Sequence, residues 1–361
     1  MKDNRQQILF GFVFGICLII AVYLIGKLTR PVQVDGGYRE IMGTFARIVV
    51  VAKNTKQARN CIEAGFDEMR RIDSLMSDYK ADSELSKINR EAFGGPVKIS
   101  DELFGLLQKS VDFSRLSNGA FDITVGPLVD LWRKAGEVNA MPDKSVIAAT
   151  KARVGYEKLI LDANAITVRF AVDGMRLDLG GIAKGYSVDK AVEIMKQKGA
   201  IAAMVDSGGN IFCFGKPTDN DTWLIGIQDP KEIEENKKEK VKNEEGEIND
   251  ILPGQPMMIL KLVDFAVATS GDYRRFVTVG GKKVSHIIDT NTAAGANKLA
   301  GDTIIAPTSL EADALSTAVN VLGPEKGLEL IESLPDVECI LITPGPEFSV
   351  IKSKGLDAYL Q

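Results

Sequence analysis

Histidine is nearly absent from this sequence, since His286 is the only one among 361 residues. A metal centre built from several histidines is therefore excluded. Cysteine is also scarce, and the four cysteines lie far apart along the chain: Cys17, Cys61, Cys213 and Cys339. No Cys-x-x-Cys pair occurs, so neither a disulfide framework nor a cysteine zinc site is expected.

The sequence also has no excess of positive charge. Lysine and arginine number 44 against 49 aspartates and glutamates, which gives a net charge of -5 and a pI near 5.3. Because a nucleic-acid partner requires a basic surface, nucleic acid is not expected to be the main partner. The composition, 45% hydrophobic and 26% charged, is that of a globular protein, and the length suits one large domain or two ordinary ones.

A long uncharged apolar run is present at the N-terminus, from Ile8 to Gly26. Its 19 residues are about enough to span a hydrocarbon core of ~30 Å. Lys27 and Arg30 follow without the small-residue pattern of a cleavage site, so we predict an uncleaved membrane anchor over residues 1–30. A buried core helix is the alternative. Charged residues flank both ends of the run, so the positive-inside rule does not fix its orientation.

The remainder, residues 31–361, is expected to form one domain in which strands and helices mix without regular alternation. We therefore predict an α+β (mixed α/β) fold. Residues 30–40 are interpreted as a short linker, and the strongly charged segment 231–250 as a solvated, mobile insertion. Apolar periodicity predicts helices at 55–77, 100–117, 184–198, 310–323 and 324–334. The same criteria predict strands at 43–53, 158–162, 165–170, 175–180, 222–230, 256–263, 265–271, 275–281, 284–290 and 337–343, and a strand–turn–strand unit at 202–215.

The stretch LDLGGIAKGYSVDKA, residues 177–191, places glycines between a predicted strand and a predicted helix. Such a turn leaves backbone N–H groups free beside a helix N-terminus, which is a natural site for an anion. Lys184 opposes the helix dipole and so favours an anionic partner. The glycine spacing fits neither a dinucleotide-binding fingerprint nor a P-loop, and a tight structural connection is the alternative interpretation.

Two further stretches carry weaker signals. The turn Ser207-Gly208-Gly209 suits either the close approach of a ligand or an ordinary hairpin. In residues 117–132, a core side chain at Phe121 and a capping carboxylate at Asp122 are the simplest interpretations, and an extended segment is expected to follow them.

The only histidine lies in the sequence VSHIIDT. Its neighbours Ile287 and Ile288 are typical of a structural histidine. Asp289, three residues after His286, indicates a local polar site instead. Both interpretations remain open at this point.

The predicted helix LEADALSTAVNVLG, residues 310–323, carries two polar groups one turn apart. Thr308 and Glu311 fit a capping box at its start. Asp313 and Thr317 stack on one side of the helix because they are four residues apart. A carboxylate and a hydroxyl suit a hard cation such as Mg²⁺ if carbonyls, water and substrate phosphate complete its shell. In the alternative interpretation, Thr317 bonds a carbonyl of its own helix and Asp313 faces water.

Taken in order, these stretches resemble the ApbE family of FAD:protein FMN transferases. The resemblance covers nearly all of the chain after the anchor and rests on the motifs MGT, SDYKADSELSKIN, GAFDITVGPL, DLGGIAKGY, SGGNI, ATSGDYRRF, HIID and EADALSTA. It implies an ApbE-like flavin transferase domain that binds FAD and a divalent metal, usually Mg²⁺. It also implies that FMN is transferred to a Ser or Thr hydroxyl of an acceptor protein as a phosphodiester, and that AMP is released. Acceptors in the family include membrane subunits of redox complexes.

The resemblance also implies roles for individual residues. The metal ligands would be the Ala183 backbone carbonyl, Asp313 and Thr317. Flavin contacts would fall on Met42, Tyr79, Ala120, Phe121, Asp122, Asp178, Lys184 and the backbone of Ile287, with Ser207, Gly208, Gly209, Thr269 and Ser270 as weaker assignments. We predict that His286 or Asp289 is the base that accepts the proton of the acceptor hydroxyl, since the transfer requires a base.

Two other functions suit the same residues. One is a metal-dependent FAD pyrophosphatase that yields FMN and AMP, and the other is a non-enzymatic, membrane-tethered protein that stores FAD. The Asp313–Thr317 pair favours a reaction, because storage needs no metal site. The anchor and the resemblance together predict a bacterial inner-membrane protein whose catalytic domain faces the periplasm.

Overall fold

The computed structural model describes residues 30–229, 256–271, 276–345 and 348–361. The predicted anchor and the charged insertion 231–250 lie outside these ranges. Within them, no helix is both long enough and apolar enough to cross a bilayer.

Strands and helices mix along the chain, in agreement with the predicted fold class. The helices are α1 (Thr55–Met76), α2 (Glu84–Glu91), α3 (Asp101–Leu116), α4 (Gly126–Glu137), α5 (Lys144–Lys151), α6 (Ala183–Gln197), α7 (Ser309–Leu322) and α8 (Pro324–Glu332). The first nine strands are β1 (Val32–Ile41), β2 (Thr44–Ala52), β3 (Val97–Lys98), β4 (Leu159–Asp162), β5 (Thr167–Phe170), β6 (Ala202–Ser207), β7 (Asn210–Phe214), β8 (Trp223–Ile227) and β9 (Met258–Leu262). The others are β10 (Phe265–Gly271), β11 (Phe276–Val279), β12 (Lys282–Ser285), β13 (Ile288–Asp289), β14 (Ala294–Gly295), β15 (Gly301–Ala306), β16 (Glu338–Thr343) and β17 (Ser349–Lys352).

An eight-stranded antiparallel sheet organises the molecule, with strand order β1-β2-β6-β7-β10-β15-β16-β17. Helices α1, α6 and α7 pack on one face of the sheet, and the β8–β9 ribbon covers part of the other face. A second core joins α2, α3 and strands β3 to β5 to the loop before α6. Helix α7 contributes side chains to both cores, with Leu315 in the first and Ala314 in the second, so it is buried nearly all round.

The predicted linker at residues 30–40 is wrong, because these residues form the edge strand β1. Asp35, Gly36 and Gly37 resemble a turn in sequence, but they form an irregularity in the β1–β2 pairing between Asp35 and Tyr38. An added Cβ at Gly36 would lie 2.5 Å from Ile62 Cγ2, so the missing side chain lets α1 pack closely on the strand. Glycine here serves packing and does not end the strand.

Two other predicted segments differ from the structure. Residues 175–180 do not form a strand: Arg176 makes one isolated bridge to Val125, and Asp178 N–H donates to the carbonyl oxygen of Ile123. The segment after Asp122 is not extended, since helix α4 begins at Gly126 with a proline in its first turn. Residues 175–180 therefore pair with the loop before α4 and not with a strand. The periodicity of a segment does not reveal such a partner.

Candidate functional site

Helices α6 and α7 meet at the carboxylate of Asp313. This side chain is 5% exposed, and its Oδ2 accepts a hydrogen bond of 2.9 Å from Gly185 N–H in the first turn of α6. Its Oδ1 lies 3.3 Å from Lys184 Nζ, which also donates to the Gly180 carbonyl at 2.8 Å. Asp313 therefore does not face water. It holds the positive end of one helix against the side of another.

Glycines allow this close approach. An added Cβ at Gly185 would lie 2.2 Å from the carbonyl oxygen of Ser309 and 2.8 Å from Asp313 Cβ. An added Cβ at Gly181 would lie 2.8 Å from Thr317 Oγ1. Ala183, between these two glycines, is the first residue of α6. The structure therefore brings the three predicted metal ligands, Ala183, Asp313 and Thr317, to one helix junction.

The groups at this junction fit a hard divalent cation. The ammonium of Lys184 already contacts two oxygens of this junction, Asp313 Oδ1 and Gly180 O. The junction is therefore suited to a positive charge. No cluster of three or more His, Cys, Asp and Glu side chains that could hold a metal occurs in the described ranges. A cation here would therefore rely on one carboxylate together with a hydroxyl, carbonyls, water and phosphate, which is the ligation that Mg²⁺ accepts.

The segment Ala120–Asp122 lies directly beside the loop before α6. Asp178 N–H donates to Ile123 O at 2.8 Å, and a Cβ added at Gly181 would contact Phe121 at 3.4 Å. Phe121 is core, as predicted, and the Asp122 carboxylate accepts hydrogen bonds from the N–H groups of Thr124 and Tyr156.

Burial raises the pKa of both carboxyls in this region. For Asp122, the effect of burial on the pKa is larger than the opposite effect of the hydrogen bonds that its carboxylate accepts. For Asp178, it is larger than the effect of the hydrogen bond that Gly180 N–H donates to Oδ1 at 2.7 Å. Both groups therefore ionise less readily than an exposed aspartate.

The β1–β2 and β6–β7 hairpin turns lie next to each other. Met42 lies in the β1–β2 turn with φ of 55°, a left-handed conformation that is uncommon for a residue with a side chain. Gly208, in the β6–β7 turn, donates its N–H to Phe45 O at 3.0 Å, so the two turns are adjacent. Thr269 N–H donates to Gly209 O at 3.1 Å and brings the end of β10 to the same place. Ser207 is fully buried, so the turn exposes none of its atoms to a ligand.

Ser270 belongs to a buried polar group that includes helix α7. Ser316 Oγ donates to Asp302 Oδ1 at 2.5 Å and lies 2.7 Å from Ser270 Oγ. Asn320 Nδ2 donates to the other oxygen of Asp302 at 3.2 Å. These bonds fix the register of α7, and hence the position of Thr317, against strands β10 and β15.

The segment with the only histidine adjoins Ala120. Ile287 packs with Ala120, and Thr290 Oγ1 donates to Gly119 O at 3.0 Å. His286 is exposed, whereas Asp289 is 6% exposed and its Oδ1 accepts Asn291 N–H at 2.8 Å within a local turn. Of the two predicted bases, His286 is therefore the one that is accessible from solvent.

Tyr79 is held by a network that the sequence analysis missed. Its ring is 81% exposed and lies 5.8 Å from the guanidinium carbon of Arg133. Arg133 pairs with Asp130, which also pairs with Arg176, and Arg176 reaches Asp78 at 2.8 Å. These four charged residues come from three distant parts of the chain, because only Asp130 and Arg133 share a helix. The only local signal was the spacing of Asp130 and Arg133 on one helix face.

The profile of the ApbE family matches residues 42–341. The FAD:protein FMN transferase of Treponema pallidum is 30% identical over 344 residues, which cover 91% of this chain and 90% of the relative. The FAD:protein FMN transferase of Haemophilus influenzae is 31% identical, with 90% of both chains covered.

Solved structures show the same architecture. The ApbE protein of Thermotoga maritima superposes with a TM-score of 0.78 at 28% identity, covering 92% of this chain and all of the other. The flavin transferase ApbE of Vibrio cholerae gives a TM-score of 0.74 at 26% identity, covering 91% of this chain and all of the other. The predicted ApbE-like domain is thereby confirmed.

Proposed function

Because the chain belongs to the ApbE family and is an FAD:protein FMN transferase, we propose that it links FMN to a Ser or Thr hydroxyl of an acceptor protein and releases AMP. The observation that carries this proposal is the junction of Asp313, Lys184 and Gly185. It combines a helix N-terminus, a lysine and oxygen donors in one place. A pyrophosphate needs such positive potential when one of its bridging bonds breaks.

The proposed reaction exchanges one phosphorus–oxygen bond for another. The acceptor oxygen bonds to the phosphorus of the FMN half of FAD, and the bond from that phosphorus to the bridging oxygen breaks. AMP leaves with the bridging oxygen, and the acceptor hydroxyl loses its proton. Mg²⁺ held by Ala183 O, Asp313 and Thr317 would neutralise the leaving phosphate when bound.

The residues of the chain have separate tasks in this scheme. Lys184, at the N-terminus of α6, attracts the pyrophosphate, while Met42 and Tyr79 contact the flavin ring. His286, exposed beside the buried Ile287, accepts the proton of the hydroxyl. Accurate positioning supplies much of the rate, because the transferred group needs little covalent help from the protein.

The test combines the protein with FAD, Mg²⁺ and a candidate acceptor protein, followed by mass spectrometry of the acceptor and chromatography of the flavins. A mass gain of one FMN group on the acceptor, with AMP in equal amount, is the expected result. FMN and AMP released without labelling of the acceptor would identify a pyrophosphatase. FAD bound but unchanged would identify a storage protein.

We also propose that the catalytic domain faces the periplasm from the inner membrane. Support comes from the uncharged run from Ile8 to Gly26, which is about long enough to act as an anchor. A reporter enzyme that is active only in the periplasm, fused after Gln361, should be active. An inactive periplasmic reporter combined with an active cytoplasmic one would reverse the orientation.

A further inference from the structure

A cavity of about 450 Å³ lies next to the flavin site, between the β11–β12 ribbon and the residues that follow β14. Its volume is that of a cleft for a small ligand or a few side chains. None of the residues predicted to contact flavin or metal lines it. It is therefore available to a second substrate while flavin is bound.

The cavity is joined to the site through its floor. Ala296 lines the cavity, donates its N–H to Ile287 O at 2.8 Å, and packs with Ala120. Ser285 also lines the cavity, and its Oγ accepts the Ile287 N–H at 3.2 Å. A group bound here would thus lie beside His286, which follows Ser285 directly.

The charged side chains that line the cavity are positive. Lys282 and Lys283 line it, both exposed, and no aspartate or glutamate occurs among the described residues of its wall. The protein as a whole carries a net charge of -5, so this local excess is not a general property of its surface. The other large cavity, beside the start of β1, contains both signs, including Arg47 and Asp35.

Apart from Ser285 and Asn297, the rest of the wall is made of uncharged residues that are mostly apolar, and two of its large hydrophobic residues are exposed. Met141 is 56% exposed and Phe276 is 37% exposed, although both are large hydrophobic residues. Exposed apolar side chains next to a functional site are typical of a surface that a protein partner covers.

We propose that this cavity binds the acceptor protein through a segment that carries acidic side chains near the hydroxyl to be modified. The proposal rests on the transferase function, since it concerns the second substrate of that reaction. Lys282 and Lys283 attract the acidic side chains, the apolar rim packs on the segment, and the hydroxyl is brought towards His286.

The test measures binding separately from catalysis. Two short synthetic peptides carry a central threonine and a rhodamine label, one with aspartates around the threonine and the other with asparagines at the same positions. Their affinity for the full chain is measured by fluorescence anisotropy with FAD present. We expect the aspartate peptide to bind roughly tenfold more tightly, and we expect salt to reduce the difference.

The double variant Lys282→Glu/Lys283→Glu should remove or invert this preference. Lys326→Glu makes the same type of charge change at an exposed site on α8 and should leave the preference unchanged. Equal binding of the two peptides to the wild type, or a preference that survives in the double variant, would overturn the proposal. So would a loss of FAD affinity in the double variant, because the cavity would then belong to the flavin.

Failure of the binding site and failure of the transferase function give different results. If the wild-type protein prefers the aspartate peptide but never transfers FMN, the proposed binding site is supported and the transferase activity is refuted. Transfer of FMN to an acceptor protein without any peptide preference would do the reverse.

Discussion

Gly185 donates its backbone N–H to Asp313 Oδ2 across 2.9 Å, and this bond fixes helix α6 against helix α7. The other carboxylate oxygen faces Lys184 and, through it, the carbonyl of Gly180. One side chain therefore has two tasks. Its charge serves the proposed cation and pyrophosphate, and its hydrogen bond holds the helix junction together.

The two tasks of Asp313 can be separated by Asp313→Asn. The amide keeps an oxygen for Gly185 N–H but loses the negative charge, so the fold should persist while turnover falls. A loss of about 2.7 kcal/mol of transition-state stabilisation corresponds to roughly 100-fold in turnover. FMN transfer is measured at ordinary and at raised Mg²⁺, with Glu311→Gln on the same helix as the control. Normal activity in Asp313→Asn would place the metal elsewhere.

Gly185→Ala should disrupt the junction of α6 and α7 by steric overlap alone. Its Cβ would meet backbone atoms of Ser309 at 2.2 and 2.6 Å, so α6 and α7 must separate. We expect a loss of roughly 1–3 kcal/mol in the free energy of unfolding and a larger loss of activity.

Gly105 provides the matched control for this substitution. It lies within α3, and an added Cβ there would have no neighbour within 4 Å. Gly105→Ala should therefore stabilise the protein by about 0.5–1 kcal/mol. Urea unfolding of both variants decides the matter, and equal effects of the two substitutions would contradict this packing analysis.

His286→Ala should alter the pH dependence of FMN transfer. A histidine base must be neutral to accept a proton, so a wild-type rate that depends on it falls in acid as the imidazole becomes protonated. The variant should be slower by roughly 100-fold and lose that acid limb. Asp289→Asn should change the rate much less, because Asp289 is buried in a local turn. Identical pH–rate profiles in all three proteins would remove His286 as the base.

Tyr79→Ala should weaken FAD binding by roughly tenfold, since a lost aromatic contact costs about 0.5–1.5 kcal/mol beyond the area buried. Arg133→Gln should act in the same direction but less strongly, because Arg133 only positions the ring. Quenching of flavin fluorescence measures the affinity. Tyr38→Ala is the control, since Tyr38 is also exposed, at 64%, and is not a predicted contact.

Asp189 should make stability depend on pH. Burial raises its pKa to about 6, although its carboxylate accepts the N–H groups of Ser309 and Leu310. Between about pH 4 and about pH 6 the folded state keeps a proton that an unfolded aspartate, with a pKa of ~3.9, has lost. The free energy of unfolding contributed by this group therefore falls as pH rises through that window, by on the order of 1–3 kcal/mol.

Asp189→Asn removes the titration and should flatten the difference between stabilities measured at the two ends of the window. The substitution also costs a hydrogen bond at all pH values, so the slope is the relevant quantity. Asp82→Asn, at an exposed carboxylate, should leave the wild-type slope in place. A wild-type slope in Asp189→Asn would show that other groups set the pH dependence.

Local chemistry allowed much of the fold to be predicted. Helix α7 begins with its predicted cap, since Thr308 Oγ1 accepts Glu311 N–H at 3.2 Å, and α3 lies within the helix predicted over 100–117. The β6–β7 turn likewise follows from Gly208 and Gly209. The edge strand β1 was missed because Gly36 and Gly37 resemble a turn, and their role depends on α1 packing across them.

The sequence by itself determined the capped helices, the glycine turns, the ionisable groups available and, through ordered motifs, the family. Tertiary structure decided which of these groups meet. Asp313 and Gly185 are 128 residues apart, and Arg176 and Asp78 are 98 residues apart, so periodicity within a segment carries no information about either contact. Whether Asp313 faces water or a helix end depends on how α7 is buried between two cores. That burial is a property of the whole packed chain.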